Sequence, residues 1–247
     1  MLIVNDFLPS GQHGIIDHNA QKITEEVVSV KYGESSFDIL YLLFAVFSGI
    51  LILSKADHKT EKLMGWAALI LGCGDAFHLV PRVLNYFVDT DFTAALGIGK
   101  LVTSITMTVF YVLLCCIWRG LYKENGSGNL IAGIWILVAV RIILCLFPQN
   151  GWVQNSSSIL WGVLRNVPFV ILGAGVCWLY YKKRREITEF RLVWLYILLS
   201  FLFYIPVTVL AGVIPALGML MLPKTVCYIL MLSAFLRFVF GKSTRPE

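Results

Sequence analysis

The sequence predicts an all-α fold: a polytopic membrane helix bundle of seven transmembrane helices, with the N-terminus outside and the C-terminus cytoplasmic. Three observations lead there. Of 247 residues, 58% are hydrophobic and only 14% are charged, against about 25% charged in an ordinary soluble domain. The apolar residues fall in runs near the ~20 residues that a helix needs to cross ~30 Å of hydrocarbon. Lysine and arginine gather in alternate loops, as the positive-inside rule requires of cytoplasmic segments.

Residues 1–36 are polar and are expected to form a cap on the outer side. This stretch, with Asp38, holds the acids Asp6, Asp17, Glu25, Glu26 and Glu34. It lacks the charged-then-apolar order of a secretory signal, so no cleavage is expected. Within it, IIDHNAQKITEEVVSV has the pattern of a short amphipathic helix. The seven-helix domain is expected at 37–241, with a cytoplasmic tail at 242–247.

The predicted spans are 37–54, 63–86, 93–118, 130–147, 158–181, 190–214 and 223–240. Span 1 is apolar packing material. Span 2 carries a polar stripe, taken up below. Span 3 opens with GIGKLVTSITMT, where glycines permit close approach and hydroxyls bond to neighbours or to their own carbonyls. Span 4 contains Arg141. The loop PQNGWVQNSSS precedes span 5, which holds Arg165, Asn166 and Pro168. Span 6 contains Tyr204, Pro206, Gly212 and Pro215 and should be kinked. In span 7, Pro223 suits a first turn, followed by Lys224 and Tyr228.

Orientation rests on Lys55, Lys59 and Lys62; Arg119 and Lys123; the run Lys182, Lys183, Arg184 and Arg185 with Arg191; and Arg237, Lys242 and Arg245. All belong to loops after spans 1, 3 and 5 or to the C-terminal tail. The net charge of +5 is this topological bias rather than a nucleic-acid footprint, so membrane lipids, not nucleic acid, are the expected partners. The six cysteines fall within spans without a CxxC pair and read as small packing residues. Walker, Rossmann, HExxH and GxSxG patterns are missing, which removes the familiar nucleotide, zinc-protease and serine-hydrolase readings. No cofactor is implied.

The stripe is LGCGDAFHLVPRVLNYFVD, residues 71–89. Asp75, His78, Arg82, Asn85 and Asp89 follow at helical steps of three and four, within an arc of roughly 80°. Depth then adds partners. At 1.5 Å per residue, Lys100 and Arg141 each lie about 9 Å inside the outer ends of their spans, and Arg165 about 12 Å. Lys224 is at the outer end of span 7. Five cations and one acid, Asp75, thus occupy the outer half of the membrane, where such groups are costly and usually functional. Below them the stripe's face is apolar (Leu71, Ala68, Met64), which suggests a blind pocket rather than a channel.

The expected function is binding, with transport or sensing, of an anionic small molecule or lipid head group at the plasma membrane. The expected ligand-binding residues are Asp75, His78, Arg82, Lys100, Ser104, Arg141, Arg165, Asn166 and Lys224. An alternative is an intramembrane lipid or amide hydrolase in which Asp75 and His78 orient a water. A second is a receptor-like sensor. Seven helices with Asp75 and His78 near a membrane face resemble the alkaline ceramidase and adiponectin-receptor superfamily. That resemblance implies a zinc site completed by histidine on the last span. Span 7 has no histidine, so no metal site is expected. Lys224 stands at the end of its span rather than in the middle, which argues against a retinal Schiff base.

Overall fold

The computed structural model describes the backbone of residues 10–124, 128–210 and 214–241, and side chains from residue 28 onward except 29, 125–131, 211–213, 215 and 242–247. The described chain is helical: α1 (Ser10–Lys55), α2 (Lys59–Phe87), α3 (Thr93–Tyr122), α4 (Gly128–Leu146), α5 (Ile159–Lys182), α6 (Val193–Leu210) and α7 (Met221–Gly241). Three short 3-10 turns lie at Pro148–Asn150, Thr188–Phe190 and Pro215–Leu220. No strand occurs among the described residues.

Six helical segments are long and apolar enough to cross a membrane: Val30–Lys55, Lys59–Phe87, Thr93–Tyr122, Ile159–Lys182, Thr188–Leu210 and Ala216–Gly241. Seven were expected. The exception is α4, whose described apolar stretch, Ala132–Leu146, is shorter. The flanks agree with a lipid setting: Leu43, Phe47, Ile136, Trp178 and Leu202 are 61–63% exposed. In water such a surface would be an aggregation hazard.

By its contacts the chain divides into residues 1–39 and 40–247. The first unit is helical from Ser10, and α1 runs unbroken for 46 residues, where the sequence suggested a separate short helix at 15–30. Glu, Lys and Gln are good helix formers, and no proline interrupts α1.

Within the second unit, α2 and α3 pack closely along their length. Glycine makes this possible: a Cβ at Gly99 would collide with the Phe77 carbonyl on α2. Thr103 adds a hydrogen bond to the Gly74 carbonyl at 3.1 Å. The core continues through Met64, Leu71, Phe110, Phe190 and Phe235, all buried. Trp118 donates from Nε1 to the Leu179 carbonyl at 2.9 Å, and the Tyr180 hydroxyl donates to the Leu114 carbonyl at 2.9 Å. These bonds lock α3 to α5.

Two boundaries differ from expectation. Pro206 lies inside α6, but the helix ends at Leu210, and Pro215 opens the 3-10 turn that leads into α7. Proline disfavours the helical region for the residue before it, and Ile214 sits at φ −123°, ψ 88°. Helix α2 ends at Phe87 with Val88 extended. Asp89 therefore falls off the stripe, and Asn85 on its last turn is exposed.

Candidate functional site

A cavity of about 390 Å³ opens among the C-terminal half of α2, the N-terminal half of α3, the α4–α5 loop, the start of α5, the end of α6 and the start of α7. Seven of the nine residues expected from sequence line it: Asp75, His78, Arg82, Lys100, Ser104, Arg165 and Lys224. Arg141 and Asn166 lie behind the wall instead.

The residues of α2 come first. The Asp75 carboxylate accepts a hydrogen bond from the Tyr41 hydroxyl at 2.6 Å, and Tyr41 is 1% exposed. One turn on, His78 Nδ1 is buried with no hydrogen-bond partner among the described residues. Asp75 and His78 share the wall but do not bond to each other. On α3, Ser104 returns its hydroxyl proton to the Lys100 carbonyl at 2.7 Å, a local bond typical of serine in helices.

The cations meet neutral partners. Lys100 Nζ donates to Asn155 Oδ1 at 2.7 Å. Arg165 Nη1 donates to Asn150 Oδ1 at 2.8 Å and Ser157 Oγ at 2.9 Å, and the guanidinium lies 4.5 Å from the Trp152 ring centre. Lys224 Nζ sits 4.7 Å from the ring centre of Tyr204 and 5.4 Å from that of Tyr228. None of the three forms an ion pair among the described residues. In low dielectric, amides and rings offset only part of the desolvation cost of a full charge.

Arg141 forms a second layer. It is 1% exposed and stacks 3.8 Å from the Phe169 ring centre. Its Nε donates to Thr108 Oγ1 at 2.7 Å, and its Nη1 to the Arg165 carbonyl at 3.0 Å and Asn166 Oδ1 at 3.1 Å. Asn166 Oδ1 also accepts from the Tyr204 hydroxyl at 2.7 Å. Thus Arg141 connects through Asn166 to a ring that faces Lys224 in the cavity.

The α4–α5 loop forms one wall for physical reasons. A helix leaves its last carbonyls without partners. Here the Asn150 amide donates to the carbonyls of Leu144 (2.8 Å), Cys145 (3.3 Å) and Phe147 (2.9 Å), and Trp152 Nε1 donates to Cys145 (2.7 Å). Gly151 takes φ +59° and Asn155 +50°, conformations that these two residue types tolerate. Gly97 on α3 leaves space for the Trp152 carbonyl, and any Cβ there would overlap it. So anchored, the loop delivers Asn150, Trp152, Asn155 and Ser157 to the cavity.

Beneath lies an aromatic cluster. Tyr111 packs edge-on to Phe169 and Phe201, with ring centres 5.1 and 5.3 Å apart, and Phe110 packs on Tyr228 at 6.0 Å. The Tyr111 hydroxyl lies 3.2 Å from Ser200 Oγ.

No protein-family model, curated protein or solved structure matches the chain. Among the described residues, no group of three or more His, Cys, Asp and Glu side chains is placed to hold a metal ion, and all six cysteines are free thiols. Among the described residues the cavity is rich in cationic and hydroxyl donors, with one carboxylate and aromatic sides. Sequence reading missed the loop residues and the roles of Thr103, Tyr204 and Tyr228. The one available signal for the loop was NGW, since Asn and Gly favour left-handed turns.

Proposed function

We propose that this protein binds an anionic small molecule or lipid head group in the cationic cavity, from which it carries or senses it. The supporting observation is the convergence of Lys100, Arg165 and Lys224 from three helices on one cavity where, among the described residues, they form no ion pair and Asp75 is the one carboxylate in the wall. A volume of about 390 Å³ lies in the range of small-molecule sites, about 300–1,000 Å³. Helix α4, with 19 residues, is about 28 Å long at 1.5 Å per residue. It serves as the seventh span in this reading.

The bundle sits in the plasma membrane with its N-terminus outside, so that the cavity faces the exterior. The Lys182–Arg185 end, opposite the cavity along the helices, faces the cytoplasm. The aromatic cluster below the cavity favours a binding pocket over an open pore. A hydrolytic Asp75–His78 pair is less favoured, since the Asp75 carboxylate accepts from Tyr41 and makes no hydrogen bond to His78.

Purified protein in lipid nanodiscs should bind members of an anion panel, and Lys100→Ala and Lys224→Ala should each weaken that binding. Anion binding indifferent to both substitutions would overturn the reading. Uptake of the bound anion into liposomes would then separate a carrier from a sensor.

A further inference from the structure

Resting on that reading, we infer that the ligand is a phosphomonoester, a phosphoryl group with three free oxygens on an organic body, rather than a singly charged carboxylate or phosphodiester. Charge is the first argument. Among the described residues, Lys100, Arg165 and Lys224 line the cavity without ion pairs, and Arg141 lies buried behind it with only neutral acceptors. Against these four the described wall offers one carboxylate, Asp75, which accepts from the Tyr41 hydroxyl and acts electrostatically on Lys224. A monoanion leaves most of that excess uncompensated inside an apolar bundle. A phosphomonoester brings about two negative charges at neutral pH.

Geometry is the second argument. Lys100, Arg165 and Lys224 arrive from α3, α5 and α7, so they surround a ligand rather than presenting one flat fork. Lysine acts as a point charge toward phosphate, and arginine supplies directed N–H groups. Each cation now holds a weaker partner: the Asn155 amide oxygen, the Asn150 and Ser157 oxygens, and the Tyr204 ring. Three phosphoryl oxygens can replace these three sets of contacts. The carboxamides remain within reach to receive the displaced donors or the ligand's own hydroxyl groups.

Size is the third argument. The cavity of about 390 Å³ would hold roughly a dozen waters at about 30 Å³ each, far more room than one phosphoryl group occupies. Leu79, Val207 and Met221 line the same space and give an organic body apolar contact. Inorganic phosphate alone would leave these side chains unused.

The test is equilibrium binding to the full chain in nanodiscs of zwitterionic lipid. One arm compares phosphatidic acid with its methyl diester and with a fatty acid. A second compares glycerol phosphate with its methyl diester and with glycerate. The expected result is at least tenfold tighter binding of the monoester than of the diester and carboxylate in one or both arms. That preference should shrink in Lys224→Ala and persist in Arg185→Ala, a substitution at the far end of the bundle. Preference in the lipid arm alone assigns the ligand to a head group; preference in the soluble arm assigns it to a free phosphate ester. Equal binding of all three anion classes, still sensitive to Lys224→Ala, would overturn the phosphomonoester inference and leave anion binding standing. Absence of site-dependent binding would overturn both. The ratio measured on the unmodified protein decides the matter even where a variant fails to fold.

Discussion

At the end of the bundle where α5 gives way to α6, Lys183 donates to Glu124 at 3.0 Å and to Glu186 at 2.8 Å. Nearby, the Arg184 guanidinium lies 3.9 Å from the Tyr181 ring centre and donates to the Tyr181 carbonyl at 2.8 Å. At the other end, Lys100, Arg165 and Lys224 meet amides, a hydroxyl and rings, and Arg141 is stacked on a phenylalanine with neutral acceptors around it. The same residue types are thus used in two ways. Where a cation marks a boundary, acids and water accompany it. Where cations are set among apolar helices with few acids, their potential stays available to something that is not part of the chain.

The contrast can be broken most severely at Arg141. Replacing it with alanine leaves Thr108, Asn166 and the Arg165 carbonyl short of a donor in a buried site. The expected loss is on the order of 3 kcal/mol of stability, measured by unfolding in detergent. Arg141→Met keeps much of the volume and should cost less stability, while still lowering anion affinity. Equal stability losses for both variants would show that the lost charge and hydrogen bonds dominate and that side-chain volume counts for little.

Asn150→Ala comes next. It removes the donor to the Leu144, Cys145 and Phe147 carbonyls and the acceptor of Arg165, at a cost of about 2 kcal/mol. Hydrogen exchange should rise at the end of α4 and through residues 147–158; unchanged exchange there would contradict the capping role. Lys100→Ala should weaken anion binding about tenfold, which is about 1.4 kcal/mol, with little change in unfolding. Lys183→Ala should have the smallest effect, and one that added salt erases. Hydrogen bonds to Glu186 and then Glu124 raise the Lys183 ammonium above the ordinary lysine value. Its stabilisation is therefore complete below the unfolded lysine pKa and fades only as pH rises through the raised folded value. Between pH 6 and 9, unfolding of the wild type and of Lys183→Ala should keep a constant offset.

Axial position was legible in the sequence because rise per residue is fixed: Lys100, Arg165 and Lys224 all fall in the outer half of the bundle by arithmetic. Rotation about the helix axis was harder. On α2 the polar stripe gave the angle, and Asp75, His78 and Arg82 do line the cavity. On α4 no stripe exists, so nothing in the pattern told whether Arg141 faced the cavity or the packing behind it. The loop was least legible, since its conformation depends on distant features: the open carbonyls of α4 and the gap at Gly97. The end of the stripe failed for a local reason, since α2 stops before Asp89.

Asn150 is 0% exposed and works in two directions, its nitrogen closing the final turn of α4 and its oxygen holding Arg165. Whatever guest draws Arg165 toward itself also competes with the clasp on the end of α4. Occupancy is thereby mechanically linked to fraying at the tip of α4, and a spectroscopic label placed there should report the guest without touching it.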